Sequence, residues 1–127
     1  MGDAIVLVVD DDHLLNLEHC DSLRRGGYKV VGVGAASAAL GVIEKRPTLS
    51  ALVTDIDLGG CCNGFDVARW ARAVCPWVPI IFVSGMASFR RQSESFEGAE
   101  FIDKPLDPQE VVKAVGRMRP ADLPPQT

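Results

Sequence analysis

Short apolar runs, separated by longer mixed segments, form the hydrophobic pattern of this chain. The runs cover residues 5–9, 30–33, 51–54, 80–83 and 101–102. Most of them are rich in β-branched residues and apolar at consecutive positions, which is typical of strands buried on both faces. The pattern therefore predicts five strands of a parallel sheet that is covered on both sides.

The segments between these runs carry apolar residues at helical spacing. Two of them follow an i, i+3, i+4, i+7 pattern: Ala36, Ala39, Leu40 and Ile43, and Val111, Ala114, Val115 and Met118. Further helices are predicted over residues 14–25, around residues 67–74 and over the polar segment 88–98. Strand and helix alternate five times, which predicts an α/β fold with a doubly wound parallel sheet.

Local signals mark several helix ends. Asp12 is a candidate cap for the first helix, and Gly26-Gly27 follows two arginines as a stop signal. Asp107 precedes a proline and a glutamate at the first and third positions of the last helix, which indicates a capping box. Residues 120–127 contain three prolines and no core residue, so we expect one domain over 1–119 and a flexible tail over 120–127.

Composition narrows the class of protein. The 127 residues are 47% hydrophobic and 24% charged, which suits a single globular domain. The net charge of -4 argues against a dedicated nucleic-acid binder. No apolar run approaches the ~20 residues of a membrane span, and no leader precedes the first strand, so we expect a cytoplasmic protein.

Four cysteines occur, at positions 20, 61, 62 and 75. They are too few and too unevenly spaced for a disulfide framework. The adjacent pair Cys61-Cys62 has two interpretations, a redox or metal site or two reduced thiols in a loop. Reduced thiols are favoured, because no CxxC motif or nearby histidine supports a zinc site.

Polar side chains stand at the carboxyl ends of four predicted strands. Asp10 and Asp11 follow the first strand, Asp55 ends the third, Ser84 ends the fourth, and Lys104 follows the fifth. In doubly wound sheets these ends meet at one edge, where ligands bind. Two carboxylates ~4 Å apart repel by roughly 4 kcal/mol at an effective dielectric of about 20. The acids therefore need a cation, and Mg²⁺ prefers such oxygen ligands.

The pieces VLVVDDD, LVTDIDL, FVSG and FIDKP occur in this order. Together they resemble the receiver domain of bacterial response regulators, over about residues 5–118. The resemblance implies a flavodoxin-like sheet of strand order 2-1-3-4-5 with five helices on both faces. It also implies a two-component signalling protein rather than an enzyme. Such a protein receives a phosphoryl group from a sensor histidine kinase or histidine phosphotransfer protein.

The resemblance assigns roles to the residues at the strand ends. Asp55 would be the phosphoacceptor, and Mg²⁺ would be held by Asp10, Asp11, Asp55 and the backbone carbonyl of Asp57. Acyl-phosphate formation on a carboxylate is an established covalent route. Lys104 and Ser84 would contact the phosphoryl group.

The resemblance further implies a switch formed by Ser84 and Phe101. It would alter the face made by the fourth helix, fifth strand and fifth helix, where a downstream protein partner binds. No direct contact with nucleic acid or membrane is expected. We also predict a cis Lys104-Pro105 bond, which X-Pro sequences permit at low cost.

Two alternative functions remain. The sequence TDIDLGG contains the D-x-D motif of haloacid-dehalogenase-like phosphatases, but in those enzymes the motif ends the first strand of a longer chain. A pseudo-receiver that only binds partners is the other, and the intact Asp55, Ser84 and Lys104 speak against it. Steady phosphatase turnover would favour the first alternative, and failure to accept phosphate the second.

Overall fold

The fold is known from a computed structural model, which describes residues 4–45, 47–60, 62–85 and 96–118. The strands are β1 (Ile5–Val9), β2 (Lys29–Val33), β3 (Leu49–Asp55), β4 (Ile80–Ser84) and β5 (Ala99–Asp103). The helices within these residues are α1 (His13–Arg25), α2 (Ala36–Glu44), α3 (Gly64–Val74) and α4 (Pro108–Arg117).

The five strands form one parallel sheet in the order β2-β1-β3-β4-β5. This confirms the predicted doubly wound sheet and its strand order. Several strands extend one or two residues beyond the apolar runs, because polar residues at the run ends also join the ladders. Four helices lie in the described residues rather than the five expected. The remaining predicted helix, 88–98, falls mainly on residues 86–95, which lie outside the described ranges, as does the predicted tail at 120–127.

Each face of the sheet carries its own core layer. The first layer joins alternate strand residues such as Leu7 and Leu52 to the inner faces of α2 and α3. The second layer joins the intervening residues, such as Val6 and Val8, to α1 and α4. Both layers are almost wholly buried, which explains why the strand segments are apolar at every position.

Side-chain caps begin three of the helices. The Asp12 carboxylate accepts a hydrogen bond from Leu15 N at 3.1 Å, so the predicted cap of α1 is confirmed. Asp107 and Glu110 form the predicted capping box of α4. A further capping box, which the sequence analysis missed, joins Asn63 and Asp66 at α3. The Lys104-Pro105 bond is cis, as predicted.

The start of α3 lies unusually close to the end of β3. Gly64 N donates a hydrogen bond to Ile56 O at 2.8 Å. A Cβ atom at Gly64 would lie 2.9 Å from Ile56 Cα and closer still to the carbonyl oxygen of Asp55. Only glycine fits here without backbone movement. This close packing brings the N-terminus of α3 next to the acidic edge of the sheet.

Candidate functional site

Three carboxylates meet at the carboxyl edge of the sheet. Asp10 directly follows β1, and Asp55 is the last residue of the neighbouring strand β3. One ligand oxygen from each of Asp10, Asp11 and Asp55 lies within 4.8 Å of the others. Asp10 and Asp55 are buried, whereas Asp11 is exposed. The predicted convergence of the acids at one edge is therefore present in the fold.

Lys104 adds a positive charge beside these acids. It directly follows β5, which is an outer strand of the sheet. Its Nζ donates to Asp55 Oδ2 at 3.0 Å, and the Lys104 side chain is 24% exposed against 8% for Asp55. The Lys104 backbone N–H donates to the carbonyl oxygen of Ser84 at 2.9 Å, which joins the end of β4 to the segment after β5. An amine and an acid 49 residues apart in the chain are thus in direct contact.

Burial and charge act on the ionisation of these groups. Burial raises the pKa of Asp10, against the hydrogen bond from the Asp12 backbone N–H. Burial also raises the pKa of Asp55, although its hydrogen bond with Lys104 acts in the opposite direction. For Lys104, burial would lower the pKa, but its hydrogen bond with Asp55 and the surrounding carboxylates together raise the pKa. The ammonium form of Lys104 is therefore favoured beside Asp55.

The backbone around the acids is held by local hydrogen bonds. Asp12 N donates to Asp10 Oδ1 at 2.9 Å. The Asn16 side-chain amide donates to the carbonyl oxygens of Asp10 and Val33, at 3.0 and 2.8 Å. Asn16 was not among the residues predicted for the site. The one sign of its role in the sequence is that a polar amide lies in the first turns of the helix that follows the acidic end of β1.

The acids have the composition of a magnesium site. Mg²⁺ prefers hard oxygen ligands, takes few of them from protein and keeps several waters. Two buried carboxylates and an exposed one offer such ligands, and the exposed position of Asp11 leaves one side of the group open to water. A divalent cation there would also offset the repulsion between the acids. The side chains at this edge therefore fit Mg²⁺.

The other predicted site residues occupy distinct positions. The Asp57 backbone N–H hydrogen-bonds the Asp55 carboxylate, and the exposed Asp57 side chain accepts from Gly59 N at 3.4 Å. Ser84 is the half-buried last residue of β4. Phe101 lies in β5, where it is paired with Phe82 in the strand register, rather than among the acids.

Four phenylalanines form an aromatic cluster in the first core layer: Phe65, Phe82, Phe96 and Phe101. The Phe82 ring stacks on Phe101 with a centroid distance of 5.2 Å and an angle of 7° between the planes. Phe65 and Phe96 contact the same ring at 4.8 and 5.4 Å. Phe101 is thus already packed against the core in this structure.

The cysteines of the described residues lie in different parts of the fold. Cys20 is a buried free thiol on α1, and Cys75 is a half-buried free thiol just after α3. Cys61 lies outside the described residues, so the interpretation of the adjacent pair Cys61-Cys62 as reduced thiols stays a prediction. No helix in the described ranges is long and apolar enough to cross a membrane.

Comparison with known proteins identifies the family. Residues 6–116 match the family model described as "Response regulator receiver domain". The chain is 32% identical over 114 residues to Nodulation protein W of Bradyrhizobium diazoefficiens, covering 88% of this chain but only 49% of that protein. It is 25% identical over 115 residues to the response regulator receiver protein CpdR of Brucella abortus, covering 89% and 94% of the two chains.

Solved structures agree with this result. A response regulator receiver protein from Sinorhizobium medicae has a TM-score of 0.84 and 27% identity, over 91% of this chain and 94% of that one. A CheY-like receiver domain protein from Methanospirillum hungatei has a TM-score of 0.80 and 26% identity, over 91% and 93%. The D-x-D motif begins at the last residue of the third strand rather than the first, which argues against the phosphatase alternative. The chain therefore belongs to the response regulator receiver domain family of two-component systems.

Proposed function

We propose that this receiver accepts a phosphoryl group from a phosphohistidine donor onto Asp55, in a reaction that requires Mg²⁺. One observation carries the proposal. The Asp55 carboxylate contacts the Lys104 ammonium at 3.0 Å and lies within 4.8 Å of ligand oxygens from Asp10 and Asp11. These contacts support the proposal, because they put the proposed nucleophile beside a cation and beside two acids that could hold a metal ion.

The acids provide the ligands that the metal needs. Asp11 and Asp55 would bind Mg²⁺ directly, Asp10 through water, and the backbone carbonyl of Asp57 would be a further ligand. When bound, Mg²⁺ neutralises negative charge on the phosphoryl oxygens and on the carboxylates. The sensor kinase or phosphotransfer protein supplies the phosphohistidine.

The transfer itself is a displacement at phosphorus. An oxygen of the Asp55 carboxylate forms the new bond to phosphorus. The bond between phosphorus and the donor's imidazole nitrogen breaks, and its electron pair stays on the imidazole. Lys104 stabilises the negative charge of the transferring oxygens, and Ser84 donates a hydrogen bond to one of them. No other protein nucleophile is needed, so the product is an acyl phosphate.

Phosphorylation of purified protein tests the assignment of Asp55. Incubation with a small phosphodonor and Mg²⁺ should give one phosphoryl group, located on Asp55 by mass spectrometry and released by base. Asp55→Asn should abolish it, whereas Asp21→Asn, an exposed control on α1, should retain it. Labelling of Asp55→Asn at the wild-type rate would contradict the assignment. No labelling of the wild type would favour the pseudo-receiver alternative.

Thermal unfolding with and without Mg²⁺ tests the metal site separately. An ion that binds only the folded chain stabilises it by about 2.7 kcal/mol at 100 times its Kd. Asp11→Asn should lose most of this gain. Asp12→Asn is the matched control, because asparagine keeps the helix cap while it removes one charge at the next position. An equal Mg²⁺ effect in both variants would place the ion elsewhere.

We further propose that phosphorylation alters a partner-binding face around β5. A phosphoryl group on Asp55 offers Ser84 a charge-assisted hydrogen bond, which would draw residues 84–87 towards the site. The Phe101 ring would then repack beside β4. In this way a new hydrogen bond at the phosphoryl group would change the packing of a side chain outside the site. The predicted helix at 88–98, outside the described residues for most of its length, would complete this face.

Ser84→Ala separates this coupling from phosphorylation itself. Beryllofluoride, a phosphoryl mimic, should shift NMR signals of residues 84–98, of which 86–95 lie outside the described residues, and of residues 101–104 in the wild type. It should also change affinity for a partner on that face. In Ser84→Ala both remote effects should diminish. The same remote shifts and affinity change in phosphorylated Ser84→Ala would show that Ser84 does not transmit the signal.

We propose residues 1–119 as the unit that carries these properties. The chain spans about half of Nodulation protein W but 94% of CpdR, so its relatives include both a protein of about twice its length and one of similar length. A chain ending at residue 119 should be phosphorylated at the same rate as the full sequence. A large loss of rate would assign a role to residues 120–127.

A further inference from the structure

Arg72 lies far from the acids and is not used by the proposed phosphotransfer. It is on α3, eight residues after Gly64, and so about 12 Å further along the helix. Its guanidinium is partly buried rather than extended into water. The Arg72 side chain is therefore placed to act within the fold.

The guanidinium joins three segments of the chain. Arg72 Nε donates to Val78 O at 3.0 Å, in the loop that leads into β4. Arg72 Nη2 donates to Gly98 O at 3.4 Å, in the turn that leads into β5. Gly98 has a φ of +75°, and a Cβ atom there would lie 3.0 Å from Arg72 Nη2. The positive φ favours glycine in this turn, and the guanidinium approaches it closely.

The same guanidinium covers an aromatic ring. Arg72 Cζ lies 5.5 Å from the centroid of the Phe96 ring, within the range of a cation–π interaction. Phe96 in turn contacts Phe82 edge to face, at 5.4 Å and 79°. Phe82 is fully buried and stacks on Phe101. A continuous series of contacts thus runs from Arg72 through Phe96 and Phe82 to the predicted switch residue.

We propose that Arg72 is a positioning residue for Phe101: it holds Phe96 against Phe82 and so maintains the stack of Phe82 on Phe101. The inference rests on the proposed function, because Phe101 is taken as the responding residue. In this arrangement the far end of α3 sets the resting position of Phe101 before any phosphoryl group arrives. Loosening Arg72 should enlarge the movement of Phe101 that phosphorylation can produce.

NMR of the aromatic rings in the unmodified protein provides the direct test. A ring stacked on another experiences a shift that an unstacked ring lacks. In Arg72→Ala the Phe101 ring signals should move towards those of an unstacked phenylalanine. Arg69→Ala is the matched control, because Arg69 is exposed on the same helix and pairs only with Asp66 among the described contacts. Unchanged Phe101 signals in folded Arg72→Ala would overturn the proposal.

Three further variants separate positioning from general loss of stability. Phe96→Leu should reproduce the Phe101 shift, and the double variant Arg72→Ala/Phe96→Leu should add little, because both changes break one series of contacts. Arg72→Lys should also shift Phe101, since a single ammonium nitrogen replaces the two separate donors Nε and Nη2 and lacks the planar guanidinium over the Phe96 ring. Full retention of the Phe101 signals in Arg72→Lys would overturn the role of the guanidinium. Additive shifts in the double variant would show that Arg72 does not act through Phe96.

Phosphorylation and beryllofluoride then connect the test to function. Arg72→Ala should accept phosphate on Asp55 at the wild-type rate, and its beryllofluoride-induced shift at Phe101 should exceed that of the wild type. An equal or smaller induced shift would contradict the link between Arg72 and the switch. Failure of wild-type labelling would instead contradict the proposed function, while the ring signals of the unmodified variants still decide the role of Arg72.

Discussion

The two faces of the sheet differ in what fills them. The layer under α2 and α3 contains all four phenylalanines of the described residues, with Phe82 at the centre of their contacts. The buried residues of the layer under α1 and α4 have no aromatic ring and include Val6, Val8 and Ala114, and the aromatic Tyr28 is only partly buried against them. Large flat rings can repack against one another, whereas small branched side chains interlock with little freedom. The first layer is therefore suited to transmit a change and the second to resist one.

The second layer has a polar exception. His19 on α1 is 1% exposed, and its Nε2 has no hydrogen-bond partner among the described residues. Burial lowers the pKa of His19, and the cation of Lys104 adds to this effect, while Glu18 and Asp55 oppose it. The helix α1, which covers this layer, thus carries a histidine whose pKa is lowered mainly by burial.

Phe82→Ala should have the largest effect on stability. Truncating a buried phenylalanine costs about 3–5 kcal/mol, because a cavity replaces its contacts. Ile81 precedes Phe82 in β4 and faces the other layer, and Ile81→Val should cost only about 0.5–1.5 kcal/mol. Urea denaturation measures both. Ring signals of Phe96 and Phe101 should move in a Phe82→Leu variant and stay unchanged in Ile81→Val; similar movement in both would erase the distinction between the layers.

Gly64→Ala should be the next most damaging change. The added Cβ would collide with the backbone of Asp55 and Ile56, and overpacking of this kind costs about 1–3 kcal/mol. Because the displaced backbone carries Asp55, the proposed phosphoacceptor, the rate of phosphorylation from a small donor should fall as well. Denaturation and labelling measure the two effects. Wild-type stability and phosphorylation rate in Gly64→Ala would show that the backbone between β3 and α3 can move enough to accommodate a Cβ atom at no cost.

His19 should make stability fall in acid. Its folded-state pKa is lowered, so the unfolded chain takes up the proton first, near the ordinary value of 6.5. The loss begins as pH falls below that value and reaches at most about 1.4 kcal/mol per pH unit until the folded histidine is also protonated. His19→Leu should remove this share of the acid sensitivity. Unfolding free energies at pH 7.5 and 5.5, with exposed His13→Gln as control, measure the difference.

Alanine at two helix glycines should give the smallest effects, and equal ones on both faces. Gly41 in α2 has open space around its Cβ position, and Gly116 in α4 meets only an ordinary contact with Tyr28 at 3.9 Å. Each change should stabilise the chain by up to about 1 kcal/mol, because glycine is a poor helix former. Thermal melting measures the gain. A clear difference between the two would mean that the layers constrain their helices unequally.

The strands, their burial on both faces and the acidic edge of the sheet could all be predicted from the sequence. Residues 5–9 and 80–83 are apolar throughout because both faces of the sheet are covered, and this property is written into consecutive positions. The acids and Lys104 could be grouped because parallel strands end at one edge. The resemblance to receivers added predicted roles for these residues. The match over residues 6–116 shows the family, and the role of each residue is a proposal for the experiments above.

Other features required the folded chain. The contact of Arg72 with Gly98 joins residues 26 positions apart, and no pattern in the sequence pairs them. The sequence also gives no sign that Phe82, a single aromatic in an apolar run, is the centre of a cluster. Asn16 and His19 are unremarkable on a helix until the tertiary structure shows what surrounds them.

The sequence by itself determined the alternation of strands and helices, the caps of α1 and α4, and the set of polar residues at the strand ends. These depend on periodicity and on neighbours along the chain, which are local properties. Only the tertiary structure decided which side chains share a layer, that burial raises the pKa of Asp55 and lowers that of His19, and that Arg72 reaches the turn before β5. Burial and long-range contacts arise from the packing of distant segments, so they exist only once the chain has folded.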